Sequence, residues 1–575
     1  MGFPNTFPAV KKYDLNFPTL AFLSLLLLFF GIFLFYPASF MLKGAFFAEG
    51  KFTLRYFSLL LESPLQRQSI FNSFIIALLT TALTTLLALP LAHWMTRFDF
   101  RGKTLLSGLL LVPMIMPPFV GAIGLSQLLA RFGSVNLLLM RLGILSPDQP
   151  IDWLGQGGFW GVVILQVLNL YPIMFLNVSA SMANLDPSLR ESAQNLGASG
   201  WRLFRTITLP LIMPGYFSGA VIVFIWSFTD LGTPLIFGFS RLVPVQIFDA
   251  VNDINTNPMG YALVVSVLLF TLGLFLVSKR ALAGRRYEMM ARGHTAGAEA
   301  RATPGRTLAI WAVTTTVIGL ALLPHLAVIV YSLAEHWFFS VLPRHWTAAN
   351  YGEIFGHSLT ASSVRNSLFY SSLSAVLDLV LGVVIAWLLT RKRIPFAGLL
   401  DALAMLPLAL PGLVLAFGYV AGFDFPIPWL NPRNNPTLLL IISYSVRRLP
   451  YIVRSAYAGF QQTSVTLEDA SANLGATPFR TLRKITLPLV MANLIAGTIL
   501  TFSFAMLEVS DGLILAMREQ FFPITKMIWQ LMGRIDPGAP GVACALGVVG
   551  MLLLSGSLLV AGKVLGQKMG QLFRV

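Results

Sequence analysis

Residues 191–211 read ESAQNLGASGWRLFRTITLPL, and residues 469–489 read DASANLGATPFRTLRKITLPL. The two stretches align without a gap at an offset of 278. Both are short polar islands in a chain that is 56% hydrophobic and 11% charged, with a mean hydropathy of +0.75. A soluble domain carries roughly 25% charged residues, so this chain belongs in a bilayer. A polar motif used twice between hydrophobic spans implies two equivalent docking points for a pair of partner subunits.

On either side of the islands lie apolar runs of about 20 residues, long enough to cross a bilayer as helices. The first half offers Leu20–Ala38, Ile70–Trp94, Thr104–Leu129, Phe159–Met182, Leu211–Phe237 and Met259–Ser278. The second offers Leu308–Leu333, Ser367–Thr390, Leu399–Ala421, Leu438–Phe460, Leu489–Leu507 and Val542–Ala561. The expected fold is therefore an all-α polytopic membrane protein of about 12 spans, six per half. No small-residue cleavage site follows the first run closely, so it reads as a retained span. The single cysteine, Cys544, excludes an intramolecular disulfide or a cysteine cluster.

The net charge of +16 is distributed as a membrane protein distributes it, not as a nucleic-acid binder does. With a cytoplasmic N-terminus, 24 of the 40 Lys and Arg fall in inside segments and 13 in outside segments. This positive-inside bias places both termini and the mid-chain linker in the cytoplasm.

The halves match well beyond the islands. Asn72-Ser73 corresponds to Asn366-Ser367, Thr96-Arg97 to Thr390-Arg391, Pro113 and Pro117 to Pro407 and Pro411, and Gly124 to Gly418, all at an offset of 294. The offset then falls to 278 because the outside loop Arg131–Gly158 is longer than Gly422–Pro436. Pro172 matches Pro450 at the new offset. Loops tolerate such length changes where packed elements do not. An even number of spans per half makes the halves parallel repeats. Residues 1–280 form the first core, 281–306 a flexible cytoplasmic linker rich in Ala, Gly and Arg, and 307–575 the second core. The translocation path is expected between the halves.

Within the first island, Asp186 is placed to cap a helix that Pro187 opens. Leu189, Ala193 and Leu196 share one face, and Gly197 suits the left-handed position that ends a helix. A second short helix sets Trp201, Phe204 and Ile207 on one side and Arg202 and Arg205 on the other. Pro210 is tolerated in the first turn of the following span. The expectation is a bent helical pair parallel to the membrane. Two readings stand for such a pair: an interfacial amphipathic element without a partner, or a docking element. Retention of Asn-Leu-Gly-Ala and Arg-x-x-Arg-x-Ile-Thr-Leu-Pro-Leu in both copies favours docking.

The pattern resembles the EAA loop of permease subunits in bacterial binding-protein-dependent ABC importers of type I. The resemblance covers nearly the whole chain, one permease core per half. It implies that islands 184–210 and 462–488 form coupling helices, each seated in a groove of an ATPase subunit. It further implies two such ATPase subunits on the cytoplasmic side, a substrate-binding protein on the periplasmic or extracellular side, and a multi-pass place in the bacterial inner membrane. The coupling residues so implied are Glu191, Gly197, Ala198, Arg202 and Arg205, and in the second half Gly475, Ala476, Arg480 and Arg483. The copies depart from the family pattern in reading Glu-Ser-Ala and Asp-Ala-Ser. The acidic role in the second half stays open between Glu468 and Asp469. No Gly-x-x-x-x-Gly-Lys-Ser/Thr loop occurs, and the six histidines are scattered. The chain reads as a non-catalytic translocation subunit without a cofactor of its own, with ATP and Mg on its partners.

Charges within spans are expensive and are functional candidates by default. Asp230 aligns with Glu508, and Asp511 lies three residues further on; Gly232 and Gly512 follow them. At a helical rise of 1.5 Å per residue, Asp230 lies about 31 Å from Leu209, near the outer end of its span. Arg447 and Arg448, with Arg454 below, interrupt Leu438–Phe460, and Arg447 falls about 15 Å in. The aligned first-half residues are Asn169 and Leu170. Asp378 is a candidate to neutralise one arginine. Carboxylates suit a hard trivalent cation, whereas midplane arginines suit an anion. Both readings stand, beside a third in which the acids cap broken helices or pair with arginines.

The stretch Thr-Asp-Leu-Gly-Thr-Pro is similar to Asp-Phe-Gly-Thr-Pro in the ferric-iron branch of these permeases, where fused double-length chains are typical. That resemblance implies ferric iron or an iron complex as substrate. A phosphonate or other organic anion, thiamine or polyamine is the alternative, and an ion-coupled secondary transporter is the alternative from another class. Pro113, Pro117, Pro407 and Pro411 fall mid-span, where each removes a hydrogen bond and permits a kink. They are read as a gate or hinge, or as static shape.

Overall fold

The computed structural model describes residues 13, 14, 16–254, 256–283 and 300–565. Twelve helices correspond to the expected spans. In the first half they are α1 (Phe17–Phe46), α2 (Pro64–Arg97), α3 (Pro118–Leu129), α4 (Phe159–Ala183), α5 (Gly200–Thr229) and α6 (Met259–Ala283). In the second they are α7 (Pro304–Ser332), α8 (Ser358–Arg391), α9 (Gly412–Gly422), α10 (Thr437–Gln462), α11 (Pro478–Met506) and α12 (Ala539–Leu565).

Several spans differ from expectation. Among the described residues, 10 helices are long and apolar enough to cross a membrane, or up to 11 if one bent pair is a single span. The bent pair is Ala397–Leu408 with Gly412–Gly422, turned by 100°. Helix α10 has 26 residues but carries Arg447, Arg448 and Arg454, and it is not among these. The mid-span prolines thus break the third and ninth spans rather than kink them. Pro117 and Pro411 both take extended backbone angles at the N-terminal edge of a new helix, because proline's missing N–H is harmless only in a first turn. The expected span Leu211–Phe237 also divides. Asp230 is extended, and a separate helix runs from Gly232 to Phe237.

The two halves repeat one another in detail. In each half the most extensive packing joins the second, fourth and fifth helices of that half. Ser73 Oγ accepts from the Val243 amide at 2.9 Å, and Ser367 Oγ accepts from the Ile524 amide at 2.8 Å. Asn72 donates to the Arg241 carbonyl at 3.0 Å, and Asn366 to the Phe522 carbonyl at 3.2 Å. The repeated Asn-Ser pair therefore pins the same later segment in both halves.

The first helix of each half packs on the other half. Helix α1 lies along α9, where the Tyr419 hydroxyl donates to the Phe33 carbonyl at 2.8 Å and the Tyr36 hydroxyl to the Gly422 carbonyl at 3.1 Å. Helix α7 lies along α3 in the same way. Gly124 faces Pro324 and Gly418 faces Pro37, so the matched glycines are the points of closest approach. The largest hydrophobic cluster contains residues of both halves. The predicted linker lies outside the described residues at 284–299, and its end, Ala300–Arg301, pairs in parallel with Phe98–Asp99.

Candidate functional site

Each island opens on a helix with a side-chain cap. Asp186 Oδ1 accepts from the Ser188 amide at 2.9 Å, and the Ser188 hydroxyl together with that amide holds the Asp186 carboxyl below its ordinary range. The helices are Pro187–Asn195 and Val465–Asn473. Gly197 and Gly475 follow with φ of +86° and +78°, the left-handed conformation expected of them. A Cβ at either would meet nothing within 4 Å, so backbone freedom rather than space calls for glycine here.

The second island helix differs from expectation. It is not a separate element but runs into the following span, as Gly200–Thr229 and as Pro478–Met506. A π-turn at Phe204–Thr208, and again at Leu482–Thr486, makes the join. It shifts the hydrogen-bond ladder just before Pro210 and Pro488, neither of which has an N–H to give it.

The islands match in surface as well as backbone. Leu196 and Leu474 are each 89% exposed, and the aligned Trp201 and Phe479 are 71% and 72% exposed. Between them, Ala193 and Leu203 are buried in the first island and Ser471 and Thr481 in the second. The latter two are joined by a 2.9 Å hydroxyl contact. Each island thus carries one exposed Leu and one exposed aromatic ring at aligned positions. From the sequence, Leu196 and Trp201 were placed on helix faces without a docking role, and Leu474 and Phe479 were not named. The signal was present, as large apolar residues at aligned positions beside the repeated glycine.

The acidic positions separate clearly. Arg391 Nε donates to Glu468 Oε1 at 3.0 Å, and its Nη2 reaches the carbonyls of Phe460 at 3.0 Å and Thr463 at 2.9 Å. Glu468 is thereby tied to the bundle, whereas Asp469 and Glu191 are exposed.

A second cluster lies where α10 meets α11. Arg447 and Arg448 both pair with Glu508, and Arg447 Nη1 lies 3.6 Å from Asp511 Oδ1. Ser443 donates to Asp511 Oδ2 at 2.8 Å. Glu508 and Asp511 are 4% and 0% exposed, so they require these partners. Asp378 does not neutralise an arginine as expected. It accepts from Ser445 at 2.6 Å, on the face of α10 that meets α8. A Cβ on Gly412 would fall 2.5 Å from the Arg447 guanidinium carbon and 2.7 Å from Asp511 Oδ1, so the proline break of the ninth span abuts the ion cluster.

The first half builds the same corner without net charge pairing. With its amide nitrogen turned to the break, Asn169 donates to the carbonyls of Pro113 at 2.9 Å and Met116 at 3.2 Å. Asp230 accepts from Gln166 at 3.2 Å and from the Gly232 amide at 3.1 Å. Gly232 lies against Val509, so the segments after the fifth and eleventh helices meet between the halves. Among the described residues no three His, Cys, Asp or Glu converge as a metal site requires.

The chain belongs to the family described as the binding-protein-dependent transport system inner membrane component, whose model matches residues 84–287 and 378–570. It is thus a permease of the ABC importer class, a multi-pass membrane protein with one family match in each half. It is 26% identical over 95% of its length to the ferric transport system permease protein FbpB of Actinobacillus pleuropneumoniae, covering 78% of that protein. It is 27% identical over 84% of its length to the putative ferric transport system permease protein FbpB 1 of Haemophilus influenzae, covering 76% of it. A crystal structure of a bacterial ABC transporter involved in alginate import matches 45% of this chain and 94% of that one, at 20% identity and a TM-score of 0.37. Family membership leaves the ion-coupled carrier without support.

Proposed function

We propose that this chain forms the translocation pathway of an ATP-driven importer that moves ferric iron, or an iron complex, into the cytoplasm. Its islands each seat one ATPase subunit, and a substrate-binding protein delivers cargo at the opposite end. The termini and the islands face the cytoplasm, as the basic residues favour. ATP-driven closure of the two ATPase subunits moves the islands together. Because each island is continuous with a span through its π-turn, that movement reaches the segments at Asp230 and Glu508 directly.

The observation that carries this reading is the pair of matched apolar protrusions, Leu196 with Trp201 and Leu474 with Phe479, one per half. The names of the two double-length relatives support iron over phosphonate, thiamine or polyamine. The arginines lend no weight to an anion, since Glu508 and Asp511 occupy them. The test is ATPase activity of the chain reconstituted with candidate ATPase and binding proteins, comparing ferric iron, a phosphonate, thiamine and a polyamine. Stimulation by ferric iron alone is expected. Stimulation by another ligand would reassign the substrate, and no ATPase association under any condition would overturn the reading.

A further inference from the structure

A cavity of about 670 Å³ opens at the island end of the first half. It lies between the loop after α2 and the start of α7, and its lining includes Asp99, Phe100, Arg101, Arg301, Leu308 and Trp311. Trp311 Nε1 donates to the Arg101 carbonyl at 3.1 Å, and the short parallel pairing of Phe98–Asp99 with Ala300–Arg301 sets the two arginines on one rim. The site is therefore built by the crossing of α7 onto the other half.

Its lining holds Arg101 and Arg301 against Asp99 alone, and Arg97, Arg190 and Arg306 lie off the lining at the same end. None of Arg97, Arg101, Arg190, Arg301 and Arg306 has a carboxylate within 4.0 Å among the described residues. Arg97 and Arg306 lie over the Phe98 ring, at 5.4 and 5.7 Å from its centroid. Asp99 is the one carboxylate on the lining and forms no ion pair with either arginine there. The second half differs at the same end, where Arg391 is taken by Glu468 and two carbonyls.

The site is also amphipathic. On its lining, Leu308 is 73% exposed and lies within the first turns of α7, beside Trp311 and Phe100. Basic pockets between spans at the cytoplasmic surface suit anionic lipid headgroups. A free phosphate would use the arginines and leave the adjoining apolar wall in water. We infer that this cavity binds an anionic phospholipid, its phosphate between Arg101 and Arg301 and its acyl chain along Leu308 and Trp311.

The test uses the full chain in nanodiscs and quenching of Trp311 fluorescence by brominated phosphatidylglycerol or phosphatidylcholine. A Trp311→Phe variant isolates the signal of this tryptophan. At least a fivefold preference for phosphatidylglycerol is expected, reduced to within twofold of parity in Arg101→Gln/Arg301→Gln. That double variant must keep the general quenching by phosphatidylcholine, which shows that it is folded. Equal quenching of the native chain by both lipids would overturn the inference. So would displacement of brominated phosphatidylglycerol by millimolar inorganic phosphate, which would assign the site to a soluble anion. Loss of ATPase copurification in the double variant without any lipid preference would assign the patch to a protein contact instead.

Discussion

Arg391 Nε sits 3.0 Å from Glu468 Oε1, with the arginine side chain 7% exposed and the glutamate 19%. The equivalent first-half positions hold Arg97 and Arg190, and among the described residues the first island has no matching ion pair to the bundle. Removing the carboxylate leaves Arg391 charged and half-satisfied. Glu468→Ala should cost about 2 kcal/mol, below the roughly 3–5 kcal/mol of a fully buried pair because Glu468 keeps some contact with water. Asp469→Ala should cost under about 0.5 kcal/mol, as exposed substitutions do. Thermal melts in detergent compare the two, and equal effects would refute the assignment of Glu468 as the latch.

The same logic applies with greater force where Arg447 and Arg448 share Glu508. Glu508→Gln leaves Arg448 without a carboxylate and Arg447 with Asp511 alone at a buried site, and a loss of about 3–5 kcal/mol is expected. Replacing Arg447, Arg448, Glu508 and Asp511 together by apolar residues of similar volume should cost less than that single change, since uncompensated charge is what the single variant creates. Unfolding of both variants in the same detergent measures the difference. A quadruple variant less stable than Glu508→Gln would show that the cluster holds the fold by more than charge balance.

Much of this fold was legible in the chain because a duplication supplies its own control. The offsets of 294 and 278 aligned Asn72-Ser73 with Asn366-Ser367, and the structure gives both pairs the same hydrogen-bonding task. The helix-ending glycines were legible for a local reason, the left-handed backbone that Gly197 and Gly475 adopt. What stayed hidden depends on side chains from distant segments. The pairing of Arg448 with Glu508 spans 60 residues of sequence, and Asp378 was an equally good partner on composition alone. The exchange of α1 and α7 between halves leaves no periodic signal, because both faces of a lipid-exposed helix are apolar. The break at Pro411 was mistaken for a kink since proline permits either.

The exchanged helices make an unequal pair of glycine substitutions. A Cβ at Gly124 would land on the Pro324 carbonyl, whose carbon is 2.8 Å away, and backbone cannot move aside cheaply. At Gly418 the nearest atom is the Pro37 Cβ at 3.1 Å, followed by the flexible end of Met41. Gly124→Ala should therefore destabilise by about 2–3 kcal/mol, the upper range for overpacking, and Gly418→Ala by under about 1 kcal/mol. Parallel thermal melts of the two variants settle the order. If Gly418→Ala proved the worse, the closest approach of the crossed helices would lie at α9 and not at α3.

The islands allow docking to be separated from folding. Leu196 and Leu474 are 89% exposed, so Leu196→Asp and Leu474→Asp remove almost no packing and should shift stability within about 0.5 kcal/mol. Each should nevertheless weaken ATPase binding by tenfold or more, because an exposed apolar anchor that fills a partner's groove carries much of an interface's energy. Gly197→Ala behaves differently. Its cost is backbone strain of about 1–2 kcal/mol in the left-handed region, with no loss of contact, since nothing lies within 4 Å of the new Cβ. Copurification of the ATPase subunit, read beside the melting curve, distinguishes the two effects. Leucine variants that melt normally and still retain both ATPase subunits would remove the protrusions from the docking surface.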